Sequence, residues 1–189
     1  LKIISNLEDV VPLFPLGNMV FFPNTVIPLH IFEERYKQMI DDSVSSHNLI
    51  CMTLMQDDTK DDDLAISKIG CVGRIISNEE GEEGKKNIIL YGITRIHIDE
   101  IIYSKPYRQA KINIIKSKKT SDNDPLYKRI TDLVGEWNLL LEDYNDNYKI
   151  KVDQSSTLSK LTDSLSSIIV SSPSELSLIH ISEPTRPIR

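Results

Sequence analysis

Gly81-Glu82-Glu83-Gly84-Lys85-Lys86 is the stretch of this chain that comes nearest to a phosphate loop, because glycines ahead of a lysine can turn backbone N–H groups and an ammonium toward an anion. Its chemistry fails that reading. It is one spacer short, has no Ser or Thr after the lysine, and carries two glutamates that would repel a phosphate. The aspartates between residues 57 and 63 could offer oxygens to calcium, but they lack the alternating ligands, central glycine and closing glutamate of a calcium loop. They read as a solvated loop. His30, His47 and His97 have no partner histidine four residues away and no HExxH context. Ser159 and Lys160 are adjacent and point to different faces of a helix, so they make no Ser-Lys dyad. No GxSxG, SxxK or Cys-His pattern supplies a nucleophile with its base. This sequence therefore yields no catalytic residue, no metal ligand and no cofactor site.

Composition points the same way. The 189 residues are 40% hydrophobic and 26% charged, which suits a folded domain of ordinary size plus an appendage. Acidic residues outnumber basic ones, 28 to 22, and no basic stripe stands out, which argues against nucleic acid or an anionic membrane as a partner. Cys51 and Cys71 are far apart, without the close spacing of a zinc or redox site, and read as buried free thiols in a reducing cytoplasm. No apolar run reaches the roughly 18 residues of a membrane span, and the start at Leu1 has no signal-peptide pattern. The missing initiating Met suggests a fragment or a trimmed start.

The elements follow from periodicity and punctuation. Leu13 to Leu16 and Thr25 to Phe32 read as short strands, with Pro12, Pro15, Pro23 and Pro28 confined to starts, edges or bulges because proline has no N–H for a ladder. Phe32, Tyr36, Met39, Ile40 and Val44 then fall at helical spacing, predicting a helix over about 33–46 with Glu33 and Glu34 at its positive end. Leu49 to Met55 is a continuous apolar strand, and Ile69 to Ile76 another, whose Gly70 and Gly73 imply a bulge or a close backbone approach. Residues 78–87 form a hairpin loop between that strand and an alternating run from Asn87 to Tyr103, and Tyr107 to Ile115 adds a sixth strand. Beyond residue 117 the pattern is helical. Asp124-Pro125 is a cap followed by proline at the first helical position, and Leu126, Ile130, Leu133, Val134, Trp137, Leu140, Leu141 and Tyr144 keep helix period. Leu158, Leu161, Leu165, Ile168 and Ile169 repeat it.

The stretch VPLFPLGNMVFFPNTVIPLHIFEERYKQMIDD, from Val11 to Asp42, resembles the opening of the Lon protease N-terminal domain as found in stand-alone Lon-domain proteins. Three later blocks continue the resemblance: Gly70-Cys71-Val72-Gly73-Arg74-Ile75, Gly92-Ile93-Thr94-Arg95-Ile96-His97-Ile98, and Pro106-Tyr107-Arg108-Gln109-Ala110. It covers roughly residues 10–171. The chain departs from the family at Asn24, in place of the usual glycine, and at Ile96, in place of phenylalanine. Asn tolerates a left-handed turn, and Ile fills a similar core volume. The resemblance implies an α+β fold: a six-stranded, PUA-like pseudo-barrel with one helix, followed by an α-helical bundle, here truncated. It also implies a substrate-recognition module without the ATPase and Ser-Lys protease parts. The divisions expected are an extension at 1–9, the barrel at 10–117, a helical subdomain at 118–175 and a tail at 176–189.

Ser172-Pro173-Ser174-Glu175 opens like a capping box, yet Leu176 to Ser182 alternates with period two and Glu183-Pro184-Thr185-Arg186-Pro187 cannot continue a helix. Leu176 to Arg186, LSLIHISEPTR, matches the translation of a transposase adapter used in sequencing libraries. The tail is read as an artefact and left out of the fold.

Aromatic mass gathers at Phe21-Phe22 and from Ile31-Phe32 to Tyr36. The functional expectation is a groove for apolar peptide segments built from Phe21, Phe22, Ile31, Phe32 and Tyr36. Against it stands core filling, expected for Phe14, Phe32, Tyr36 and Trp137. The expected partners are protein or peptide clients with exposed apolar segments, in the service of proteolysis or protein quality control. Two alternatives accompany this reading: the front of a truncated ATP-dependent Lon serine protease, and a self-associating structural interaction protein, a homo-oligomer whose two helices mediate the contact, with Leu158–Ile169 presenting an apolar stripe.

Overall fold

A computed structural model describes residues 10–17, 19–55, 66–116, 125–140, 149–153 and 157–169. The extension at 1–9, the aspartate loop at 57–63, the cap at Asp124, Leu141, Tyr144 and the tail from 176 lie outside these residues. The strands are β1 (Val10–Leu16), β2 (Val26–Ile31), β3 (Leu49–Met55), β4 (Ile66–Glu80), β5 (Lys86–Ile102) and β6 (Gln109–Ile114). The helices are α1 (Glu34–Val44), α2 (Pro125–Leu140) and α3 (Leu158–Ile169).

The strands form one mixed sheet in the order β2-β5-β4-β3-β1-β6, and β5 also pairs with β6. The hydrogen-bonded path β5-β4-β3-β1-β6 thus returns to β5, with β2 outside it on the first half of β5. β1 and β3 are parallel, and every other pairing is antiparallel. Pro12 and Pro15 are tolerated in β1 because the strand changes partner between them: Val10–Pro12 pair with β6, and Leu13–Leu16 with β3. Pro28 sits in the edge strand β2.

Side-chain alternation on these strands feeds two cores. Val11, Leu13, Leu49, Cys51, Ile66, Val72, Ile96, Ile98, Ala110 and Ile112 come from all five strands of the closed path and fill its inside. Phe14, Ile50, Met52, Cys71, Ile75, Ile88 and Leu90 point the other way and are covered by Leu29 and Ile31 of β2 and by Tyr36, Met39 and Ile40 of α1. β3 is buried on both faces, which is why its sequence reads as an unbroken apolar run. The helix α1 ends where Asn48 takes a left-handed φ of 56° and its N–H reaches the Ser43 carbonyl at 2.8 Å.

The register of β5 carries an extra residue. Val72 pairs with Thr94 and Gly73 with Gly92, leaving Ile93 bulged. A one-residue slip exchanges the faces, so Ile88 and Leu90 lie in the helix-covered core while Ile96 and Ile98 point into the ring. Gly73 and Gly92 sit opposite each other at this point, and the segment Phe21-Phe22 is laid directly on them. A Cβ on Gly92 would come within 2.1 Å of the Phe22 carbonyl oxygen, and one on Gly73 within 2.6 Å of the Phe21 ring. Asn24 donates its N–H to the Gly92 carbonyl at 2.8 Å, and Gly92 donates to the Thr25 carbonyl at 2.9 Å. The φ of 61° at Asn24 is the left-handed turn expected where the family has glycine.

Past the bulge, Arg95 emerges on the same face as Cys71, its register partner, and forms a hydrogen-bonded ion pair with Asp163 of α3. Both side chains are 2% exposed. α2 turns Val134 inward, and Asn138 exchanges two hydrogen bonds with the Ile150 backbone, at 2.8 and 2.9 Å. Trp137, expected in the core, is instead exposed, because the inward side of α2 is the one carrying Val134 and Asn138. No helix among the described residues is long and apolar enough to cross a membrane.

The glycine contacts give a paired test of this packing. Gly92→Ala should lower the unfolding free energy by about 1–3 kcal/mol or more, since its methyl meets a fixed backbone oxygen. Gly135→Ala, with nothing within 4 Å of its Cβ position on α2, should raise it by about 0.5–1 kcal/mol. Urea unfolding of the two variants beside the parent chain measures both.

Candidate functional site

Because β1 and β3 run parallel, their C-terminal ends, Leu16 and Met55, open on one rim, where the end of β2 and the first turn of α1 also arrive. Together they frame a cavity of about 270 Å³ lined by Phe14, Pro15, Leu16, Gly17, Leu29, His30, Ile31, Phe32, Glu33, Arg35, Tyr36 and Met55. One wall is a stack held at fixed distances. Glu33 occupies the N-cap of α1 but makes no side-chain cap bond, its carboxylate instead accepting from Arg35 at 2.7 and 2.8 Å. The Arg35 guanidinium lies 4.6 Å over the Tyr36 ring, and that ring meets Phe14 edge-on at 4.6 Å and 63°. Burial pushes the Tyr36 hydroxyl up in pKa, and Arg35 only partly offsets this, so the phenol stays neutral at physiological pH.

The five residues expected at a peptide groove divide here. Ile31 and Tyr36 are buried side chains of the cavity wall, and Phe32 stands on its lip at 67% exposure. Core filling, expected for Phe32, does not occur: it follows buried Ile31 in the alternation of β2, so it faces out just before the helix begins. Phe21 and Phe22 take no part in the cavity. They are sealed against the glycine pair, and the carbonyl of Phe22 also accepts from Thr25 at 2.7 Å. Sequence reasoning passed over Leu16, Leu29, Arg35 and Met55. The parallel pairing of β1 with β3 would have brought Leu16 and Met55 together, but periodicity carries no signal of strand direction.

The remaining chemistry-bearing residues serve structure. Gly81 to Lys85 form the tip between β4 and β5, with a 3-10 turn at Glu82–Gly84, as the hairpin reading has it. Cys51 and Cys71 are free and fully buried, on opposite cores, and burial pushes both thiols up in pKa, away from the thiolate a nucleophile needs. His30 contacts Asn87 at 2.7 Å and His97 contacts Asp99 at 2.9 Å, both near the surface.

A second, smaller hollow of about 120 Å³ lies at the other end of α1, among Pro12, Asp42, His47, Lys105, Tyr107 and Gln109. Asp42 accepts from Lys105 and from Tyr107, each at 2.7 Å, tying α1 to the connection between β5 and β6. The Lys105 and Tyr107 bonds hold the Asp42 carboxyl below its usual range, and the same contact raises Lys105.

Comparison with known proteins places these features. The family model described as the ATP-dependent protease La (LON) substrate-binding domain matches residues 10–179. The Lon protease of Flavobacterium johnsoniae is 32% identical over 130 residues, 66% of this chain and 16% of that protein. The Lon protease of Dictyoglomus thermophilum is 30% identical over 135 residues, 68% of this chain and 17% of that protein. The chain thus spans about one-sixth of these relatives. Among solved structures, a Lon N-terminal domain protein from Xanthomonas campestris superposes with a TM-score of 0.58 at 17% identity, covering 92% of this chain and 97% of that one. The N-terminal domain of the Mycobacterium avium complex Lon protease gives 0.50 at 12% identity, covering 92% and 96%. The shared fold is the α+β one expected, with six strands in a single mixed sheet.

The Asp42 contact carries a pH prediction. Its depressed carboxyl contributes stability that is present above the unfolded carboxylate pKa of about 3.9 and lost as pH falls through the folded value. Lys105, raised, contributes below about pH 10.4 and loses its share above the folded value. Asp42→Asn should therefore destabilise by less than about 1 kcal/mol between those limits, as suits a solvent-screened contact. Urea midpoints of the two chains should converge below about pH 4.

Proposed function

Because this chain belongs to the substrate-binding domain family of the ATP-dependent protease La (Lon), we propose that it is a recognition module that binds unfolded or apolar segments of client proteins for proteolysis or quality control. The family assignment concerns the substrate-binding part of Lon and not the catalytic part. The observation that carries the reading is the cavity at the joined ends of β1, β2 and β3, with exposed Phe32 on its lip. An extended segment would lay an apolar side chain into the space between Phe14, Leu29, Ile31 and Met55. Phe32 would then close over it, and the Glu33–Arg35 pair would face the segment's polar backbone. Of the groove expected from sequence, Ile31, Phe32 and Tyr36 belong to this proposal. Phe21 and Phe22, packed on the glycine pair, do not. We place the module in the cytoplasm, on the two reduced, buried thiols.

A second reading, that the chain is the front of an ATP-dependent Lon serine protease, is favoured by its span of about one-sixth of relatives that are themselves Lon proteases. The coding sequence downstream of residue 175 separates the two. A nearby stop codon leaves a stand-alone module, as the resemblance of Val11–Asp42 to stand-alone Lon-domain proteins suggests, and a Walker A motif followed by a Ser-Lys domain makes it a protease.

Binding of a permanently unfolded, fluorescently labelled model protein tests the module reading in either case. Saturable binding in the micromolar range is expected, and Phe32→Ser should weaken it about tenfold, or about 1.4 kcal/mol, with the unfolding midpoint unchanged because Phe32 is outside both cores. Absence of saturable binding at several hundred micromolar would sink the reading.

A further inference from the structure

Self-association through the two helices is the sequence expectation; on α3, Leu161 and Asp163 turn into the protein and Ile168 is exposed. Among the described residues, the wider exposed apolar face of the two helices belongs to α2. Leu133, Trp137 and Leu140 are 55%, 52% and 76% exposed, and Leu126 is exposed one heptad before Leu133. Their spacing of seven, four and three residues is that of a coiled-coil seam.

The pattern about Leu133 is self-complementary. Leu126 and Leu140 each stand seven residues from it, while Arg129 stands four before it and Trp137 four after, with Glu136 alongside. Arg129 and Glu136 are both exposed, and they flank the seam on the side opposite Val134, which packs inward. A two-fold axis through Leu133 therefore sets Leu126 against the partner's Leu140. The same axis carries Arg129 to the partner's Glu136 carboxylate and Trp137 ring, twice over. A parallel pairing would instead bring Arg129 toward the inward side of the partner helix. We propose that α2 docks antiparallel onto α2 of a second copy of this chain, with Leu133 on the two-fold axis. The sixteen residues of α2 span only about 24 Å, so the contact is small and the dimer weak, forming in the micromolar range.

Sedimentation velocity on the full chain, from about 5 to 500 µM, should show a monomer giving way to a dimer. Emission of Trp137, the chain's one tryptophan, should move to the blue over the same range. Leu133→Glu should raise the dissociation constant at least tenfold with an unchanged circular dichroism spectrum. Arg129→Glu and Glu136→Arg should each weaken the dimer, and the two combined should restore it. With Cys51 and Cys71 buried, Leu133→Cys supplies an accessible thiol on the axis and should cross-link to a dimer under mild oxidation, whereas Leu140→Cys should not. A monomer at every concentration overturns the proposal, as does a dimer indifferent to Leu133→Glu or a double charge reversal that fails to restore. Faster cross-linking through Leu140→Cys shows a parallel contact and overturns it too. Blue-shifted Trp137 emission at all dilutions without a dimer means that a segment of the same chain covers the face, which also overturns it.

Discussion

The bulge at Ile93, set against the glycine pair Gly73 and Gly92, is the constraint on which the other arrangements rest. β5 has to serve two ladders, β2 and β4 in its first half and β4 and β6 in its second. Without the inserted residue, Ile96 and Ile98 would face the helix-covered core and Arg95 would face the inside of the ring, where no charge is accommodated. With it, each half presents apolar residues to the core it meets. The missing Cβ atoms at the same point let the Phe21–Thr25 segment lie on the sheet and deliver β2 to the edge of β5. The cavity at the end of β2 is thus positioned from a place remote from it.

The buried Arg95–Asp163 pair follows from that shift and attaches the helical part to the sheet. Such a pair contributes little net stability, because desolvation of two charges offsets much of their attraction, while removing one partner alone costs about 3–5 kcal/mol. Its effect is on placement. An apolar contact would let α3 slide, whereas a carboxylate that must meet one guanidinium fixes the helix in one register. The Arg95 guanidinium also lies 5.9 Å from the Phe22 ring, so the loop on the glycine pair and the helix above it share one anchor.

Much of this was legible in the residues. The apolar run at Leu49 to Met55, the helix after Glu33, the hairpin tip at Gly81 to Lys85 and the left-handed turn at Asn24 each have a local cause, and each stands where the sequence puts it. What escaped has a non-local cause. Two phenylalanines beside a proline look like a surface feature, and only the pairing of Gly73 with Gly92, nineteen residues apart and about fifty to seventy from them, shows that they are packed down. Trp137 and Val134 belong to one apolar stripe by period, yet one faces in and the other out, because the stripe of α2 is wider than the surface it covers. Arg95 and Asp163 are 68 residues apart, and neither side chain announces the other.

The division of labour within the cavity suits the proposed recognition of many client segments rather than one. The Glu33–Arg35–Tyr36–Phe14 stack is held by an ion pair, a cation–π contact and an edge-on ring contact, so that wall keeps its shape and its neutral phenol at physiological pH. The same cavity is also lined by Met55, whose unbranched thioether adapts to irregular shapes, and by Phe32, which is outside both cores and able to change rotamer without disturbing them. A rigid wall limits the entropy lost on binding, and an adjustable one admits side chains of different size. A site rigid on every side would select one sequence, and one flexible on every side would lose most of its affinity to ordering. In the proposed module, Phe32, placed just before the helix cap with its side chain unpacked, would resolve that conflict with a single residue.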